Sequence, residues 1–252
     1  VSLIFNGADE RTVVTADRAS FLMNERILHL NENVQSLSPD GFLLRGPEAT
    51  YFMKTRVLST SQPVEGETFL GEMRVWGDRA EAPIDEKKVN LIGNARAVYR
   101  EQKRGLTRVR GDSCVLDRSE EKATFTSHVK VEQEKVTATS ETGDLYYSPR
   151  DKGIRYMALN GDVKIAQEDG KYTRSQVAEF FSPTDTIVLT GFPSVYDGDD
   201  AVAGDKITVY RTTGVVEVTA TNAAGSEPRA GYKNKRGQTK PTLNKEDEEL
   251  IP

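Results

Sequence analysis

The chain has 252 residues, of which 37% are hydrophobic, with a mean hydropathy of −0.56, a formal net charge of −5 and a pI near 5.3. The acidic balance argues against nucleic acid or a basic membrane-surface helix as the main partner. The low apolar fraction suits a thin array with much surface better than a compact enzyme. No apolar run reaches the roughly eighteen residues a membrane-spanning helix needs. One cysteine, Cys114, excludes an intrachain disulfide and leaves the redox compartment open.

In chain order, the opening Val1-Ser2-Leu3-Ile4-Phe5 has neither an initiator Met nor a signal pattern, which reads as a processed or truncated form. Short alternating strands follow at Ile27-Leu28-His29-Leu30, Val89-Asn90-Leu91, Ala123-Thr124-Phe125, Met157-Ala158-Leu159 and Ile187-Val188-Leu189. Beyond a central Gly or polar residue the alternation resumes, as at Val129-Lys130-Val131 and Val163-Lys164-Ile165. Turn signals separate the strands at Ser38-Pro39-Asp40-Gly41, Ser182-Pro183-Thr184-Asp185, Asp197-Gly198-Asp199-Asp200 and Arg211-Thr212-Thr213-Gly214. The stretch from Arg174 to Phe181 allows one helical turn, but no sustained 3.6-residue stripe with caps exists. After about Ala224 apolar residues nearly vanish. Residues 223–252 therefore read as a disordered polar tail that buries too little surface to offset its ordering entropy.

The strands recur with a period of about thirty residues. Anchors at Asp17, Pro47, Asp78, Asp112, Glu141, Ser175 and Asp205 step by 30, 31, 34, 29, 34 and 30, and each is followed about fifteen residues later by the middle of an apolar strand. From Glu141 the interval stretches to twenty, across the turn Ser148-Pro149-Arg150-Asp151-Lys152-Gly153. A fixed period in this range marks a stacked-repeat architecture, in which no unit buries its apolar face alone. The fold class is all-β.

No residue is assigned a catalytic or metal-binding role, and no cofactor is implied. His29 and His128 lie about a hundred residues apart without ligand spacing, and Gly111-Asp112-Ser113 before Cys114 is not a nucleophile elbow. Cys114 reads as a small buried hydrophobe. Asp197, Asp199 and Asp200 form a polar hairpin turn rather than a calcium loop, and Trp76, Tyr146-Tyr147 and Phe180-Phe181 read as packing between strands.

Two groups of segments carry a resemblance. Ala158-Leu159-Asn160-Gly161-Asp162-Val163-Lys164-Ile165, Val188-Leu189-Thr190-Gly191-Phe192-Pro193-Ser194-Val195 and Val202-Ala203-Gly204-Asp205-Lys206-Ile207-Thr208-Val209-Tyr210 resemble the OstA-like (LptA-like) repeats of the lipopolysaccharide-transport periplasmic bridge family. Val14-Thr15-Ala16-Asp17-Arg18-Ala19, Leu28-His29-Leu30-Asn31-Glu32-Asn33-Val34 and Gly46-Pro47-Glu48-Ala49-Thr50-Tyr51 resemble its LptC-like members. An LptC-like member typically begins with a transmembrane helix, which this sequence does not show.

The resemblance implies an elongated, twisted β-jellyroll, a folded-over β-solenoid of about seven repeats of about 30 residues. Its parts are an LptC-like portion at 1–68 and an LptA/OstA-like portion at 69–222, continuous with the first, before the tail. Acyl chains of lipopolysaccharide would lie on an inward strip of Leu28, Leu30, Leu91, Phe125, Val129, Leu159, Val163, Ile165, Leu189 and Val195. Open edge strands near Val13, Val14, Val216 and Val218 would pair with other jellyrolls by β-augmentation. Those partners are the inner-membrane transporter, the outer-membrane assembly protein and further copies of the chain. The implied place is the periplasm of a Gram-negative cell, with a tether to the inner membrane ahead of Val1. A structural solenoid that polymerises without lipid and a carbohydrate-active β-helix enzyme are the alternatives. The latter lacks the column of acidic residues it would need.

Overall fold

The computed structural model describes residues 1–6, 11–68, 71–101, 105–148 and 153–219. The chain begins with β1 (Ser2–Asn6), β2 (Arg11–Thr15), β3 (Arg18–Leu22), β4 (Ile27–Leu37), β5 (Leu43–Phe52), β6 (Val57–Thr60) and β7 (Val64–Glu67). It continues with β8 (Met73–Gly77), β9 (Arg79–Pro83), β10 (Lys88–Glu101), β11 (Gly105–Asp117), β12 (Lys122–Gln133) and β13 (Val136–Ser148). Last come β14 (Gly153–Gln167), β15 (Lys171–Phe181), β16 (Thr186–Thr190), β17 (Ser194–Asp197), β18 (Asp200–Ala203), β19 (Lys206–Tyr210) and β20 (Val215–Thr219). Among the described residues these twenty strands form one sheet, antiparallel at every pairing. The tail expected at 223–252 lies outside the described residues.

The strands are longer than the sequence pattern suggests, because each long one is two apolar stretches bent at a corner. At each corner two residues on one strand oppose one on its neighbour, which is the count of a β-bulge. In β4 the register jumps from Asn31 to Val34, in β10 from Ile92 to Ala95, in β12 from Thr126 to Val129 and in β14 from Asn160 to Val163. The skipped pairs, Glu32-Asn33, Gly93-Asn94, Ser127-His128 and Gly161-Asp162, all have positive φ. Gly, Asn, Asp and His tolerate that conformation best. The single opposing residues are Asp17, Pro47, Asp78, Asp112, Glu141 and Gln176. The thirty-residue period is therefore the spacing of corners in an antiparallel meander, two strands to a repeat. Taking Gln176 rather than Ser175 as the anchor restores the fifteen-residue offset to Gly191.

Corner side chains clamp neighbouring strands. Asn33 Nδ2 donates to Asp17 Oδ2 at 2.6 Å, Asn94 Nδ2 to Asp78 Oδ2 at 2.7 Å, and His128 Nδ1 lies 2.9 Å from Asp112 Oδ2. Backbone bonds repeat the same scheme, with the Asp17, Asp78 and Gln176 amides donating to the carbonyls of Glu32, Gly93 and Gly191.

The corners fold the sheet into two layers. One layer runs β3, β4, β5, β6, β9 and β10, then residues 113–117 of β11 and 122–126 of β12, and on through β13, β14 and β15 to β16, β19 and β20. The other runs β1, β2, β4, β5, β7, β8, β10, then the remaining halves of β11 to β15, to β17 and β18. Apolar side chains fill the space between them, forming a jellyroll.

Two expectations change. Arg174 to Phe181 is not helical but part of β15, because Thr173, Ser175, Ala178 and Phe180 turn inward and the stretch pairs with β14 on one side. Val13 and Val14 are not on an open edge. β2 is flanked by β1 (Leu3 opposite Val14) and by β4 (Val14 opposite Ser36), and Val14 is wholly buried. The alternation in β2 shows an apolar strand but not its neighbours, and β1 pairs along the side read as open.

Candidate functional site

Of the ten residues expected to face inward, Leu30, Leu91, Phe125, Val129, Leu159, Val163, Ile165 and Leu189 are buried, while Leu28 and Val195 are half-buried against the core. They do not share one cluster. Leu28 and Leu30 pack with Val14, Val34, Tyr51 and Leu58 in a smaller core at the amino-terminal end. The other eight belong to a long core that runs from Phe42 to Ile207. An apolar crevice of ≈ 20 Å³ marks the seam, with Val34, Ala49 and Leu58 on one side and Leu44, Val64 and Ala80 on the other.

An apolar cavity of ≈ 70 Å³ lies between Val131, Ala138 and Ile165 of one layer and Leu159, Phe180 and Ile187 of the other, with Arg211 also lining it. Ligand pockets usually measure about 300–1,000 Å³.

At the mouth, opposite the corners, hairpin turns of the two layers face one another. Arg118, in the turn between β11 and β12, reaches across to Asp40, in the turn between β4 and β5. Its Nη1 donates to Asp40 Oδ1 at 2.7 Å and to Oδ2 at 2.8 Å. The guanidinium also lies 5.2 Å from the ring centroid of the buried Phe42, and its Nε has no hydrogen-bond partner. Tyr99 and Tyr147, one from each layer, stand 6.5 Å apart. Burial pushes the Tyr147 phenol well above its usual range, and the Arg118 charge opposes that rise. This clasp joins residues 78 apart in sequence, so no local pattern could have announced it. Arg211 bridges nothing comparable. It pairs with Asp185 at 3.5 Å and lies 5.5 Å from the Phe180 ring, both in its own layer.

Among the described residues β3 pairs only with β4, β18 only with β17 and β20 only with β19. Val216 and Val218 are 43% and 37% exposed, and Phe21 is 48% exposed. No group of three or more potential metal ligands occurs among the described residues. Cys114 is buried, and burial pushes its thiol up to about 12, which suppresses the reactive thiolate.

Two family models match the chain. Residues 1–100 match the LptC-related lipopolysaccharide-assembly family, and residues 108–215 match the LPS transport protein family of LptA and the LptD N-terminal domain. The chain belongs to the lipopolysaccharide-transport bridge family. A single sheet runs through both matched stretches. No curated protein matches the chain. Among solved structures it is similar to LptH, the LptA-homologous periplasmic component of the lipopolysaccharide transport device from Pseudomonas aeruginosa. That likeness has 18% identity and a TM-score of 0.44, over 52% of this chain and 94% of LptH.

Proposed function

We propose that this chain carries lipopolysaccharide through the periplasm, with acyl chains between the two layers and the sugar head outside. The observation that carries this reading is one uninterrupted antiparallel sheet whose successive parts match two lipopolysaccharide-transport families and whose layers enclose an apolar interior. A lining without charged clamps suits transit, because cargo must leave each position as easily as it enters. Leu91, Phe125, Val129, Leu159, Val163, Ile165, Leu189 and Val195 form the strip in the long core, and Leu28 and Leu30 the strip in the smaller one. Transport runs from the inner membrane towards the outer membrane. The open edges of β3 and β20 join the neighbouring jellyrolls of the transporter and of the assembly protein by continuing the sheet. A segment ahead of Val1 tethers the chain to the inner membrane.

The test is photocrosslinking in cells from a reactive residue placed at Leu159 or Leu189. Lipopolysaccharide adducts are expected at both. Their absence at both positions, with the fold intact, overturns the reading in favour of a sheet that assembles end to end without lipid.

A further inference from the structure

The outer face of the second layer carries a row of cations that the transport reading does not use. Cross-strand register places Trp76 opposite Arg96, Arg96 opposite Arg110, and Arg110 opposite Lys130. Beyond Thr139 the row resumes with Lys164 opposite Arg174. Arg108 stands in the adjacent row, opposite Val98 and Glu132. Directly opposed residues on antiparallel strands have Cβ atoms about 4.5–5.5 Å apart, and like charges so placed destabilise a sheet. A chain with a net charge of −5 has gathered its cations where they repel one another.

Little within the fold neutralises the centre of this row. Arg96, Arg108 and Arg110 are exposed, and among the described residues none of the three makes an ion pair within 4 Å. The nearby carboxylate, Glu132, is held below its usual range by a bond from Lys130, with the charges of Arg110 and Arg108 adding to it. Glu132 thereby reports a positive field across the face. The surface is concave here: a depression of ≈ 380 Å³ is lined by Trp76, Arg96, Arg108, Arg110, Lys130 and Glu132, among others. That volume exceeds what one phosphate ion fills and lies within the range of small-ligand sites. Half-buried Trp76 supplies an aromatic wall, and arginines supply planar donors matched to phosphate.

We propose that this depression binds a phosphorylated saccharide, its phosphates held by Arg96, Arg108 and Arg110 and a sugar ring lying against Trp76. The site is on the outside of the sheet, separate from the apolar interior, so its occupancy does not require acyl chains to enter. The same chemistry is offered by a soluble sugar phosphate and by the head of an acylated phosphoglycolipid.

Trp76 is the chain's one tryptophan, so its fluorescence reports the site directly. Titration with glucose 1,6-bisphosphate at low salt should give a saturable change, at least tenfold tighter than inorganic phosphate and absent with glucose. Arg96→Ala or Arg110→Ala should weaken it about tenfold, while Arg79→Ala, an exposed arginine on the other layer, should leave it unchanged. Arg110→Thr should also raise the thermal midpoint, because it removes like-charge repulsion, which a merely structural arginine would not do. An acylated phosphoglycolipid in micelles should give the same change and be displaced by the bisphosphate. A response to phosphate as strong as to the sugar bisphosphate overturns the saccharide. So does equal loss in the Arg79 and Arg110 variants, and a response confined to the acylated form overturns the outer site. None of these results depends on crosslinking at Leu159, so the outer site and the inner groove fail separately.

Discussion

Replacing three glycines by alanine separates backbone strain from crowding at the corners. Gly170, Gly93 and Gly191 have φ of 87°, 78° and 75°, so an added Cβ meets nearly the same left-handed penalty at each, about 1 kcal/mol. Their surroundings differ. At Gly170, in the turn between β14 and β15, nothing lies within 4 Å of the new atom, and the loss should stay near about 1 kcal/mol. At Gly93 the new atom falls 2.8 Å from Asp78 Oδ2 and 3.1 Å from its Cβ. The carboxylate can swing aside only by giving up its bond from Asn94, which adds about 1 kcal/mol. At Gly191 the obstacle is Gln176 Cβ at 2.5 Å, an atom fixed to the backbone. There the strands must separate and stretch the bond from the Gln176 amide to the Gly191 carbonyl, for a total of about 3 kcal/mol or more. Urea unfolding followed by circular dichroism should rank the midpoints in that order. With a slope of about 2–3 kcal/mol/M, each kcal/mol moves the midpoint by about 0.3–0.5 M. Equal losses, or the largest loss at Gly170, would refute the claim that the thirty-residue period encodes corners.

Acid should loosen the fold in a defined window. Asp85, Asp117, Glu132 and Asp169 are each held below the ordinary carboxylate range, chiefly by bonds from Arg56, Ser119, Lys130 and Lys171 respectively. The unfolded chain then binds more protons than the native one. Their stabilisation is therefore full above about pH 5 and lost as pH falls through the lowered native values; a urea midpoint that is flat between pH 5 and pH 2 would contradict this. Asp40→Asn should weaken the clasp to Arg118, raise the rate at which a thiol reagent labels Cys114 by about tenfold and lower the urea midpoint by the matching amount, about 0.4–0.7 M. Unaltered labelling would show that packing alone holds the mouth.

The sequence made the all-β class and the corner period legible because both are local. Gly93-Asn94 and Gly161-Asp162 favour positive φ wherever they stand, and alternation on either side points Val129, Val131, Val163 and Ile165 to one face. Long-range pairing was not legible. The cover that β1 places over Val14 was missed although Asn6-Gly7 between two apolar stretches is a hairpin signal, and the Arg118–Asp40 clasp depends on how the two layers cross. The strand Val215–Thr219 was readable from its apolar alternation, and it pairs with β19. The division of the interior into two cores was missed for a physical reason: alternation says which face a side chain takes, not which neighbours meet it.

The cation row was missed although its signal is present. In chain order Arg96, Arg110, Lys130, Lys164 and Arg174 lie 10 to 34 residues apart and read as interspersed charge. Counted from the corners they fall on one column. Arg96, Lys130 and Lys164 stand two residues after Asn94, His128 and Asp162, while Arg110 and Arg174 stand two residues before Asp112 and Gln176. The positions one and three residues from the same corners are Ala95 and Ala97, Gly111 and Val109, Val129 and Val131, and Val163 and Ile165, all buried. Side chains alternate with a period of two, so a corner that fixes which residues face the interior also fixes which face outward. One residue inserted between a corner and its cation would turn the cation into the core and an apolar neighbour into water. The corner thus sets the apolar strip and the basic row together, and neither surface can shift register without destroying the other.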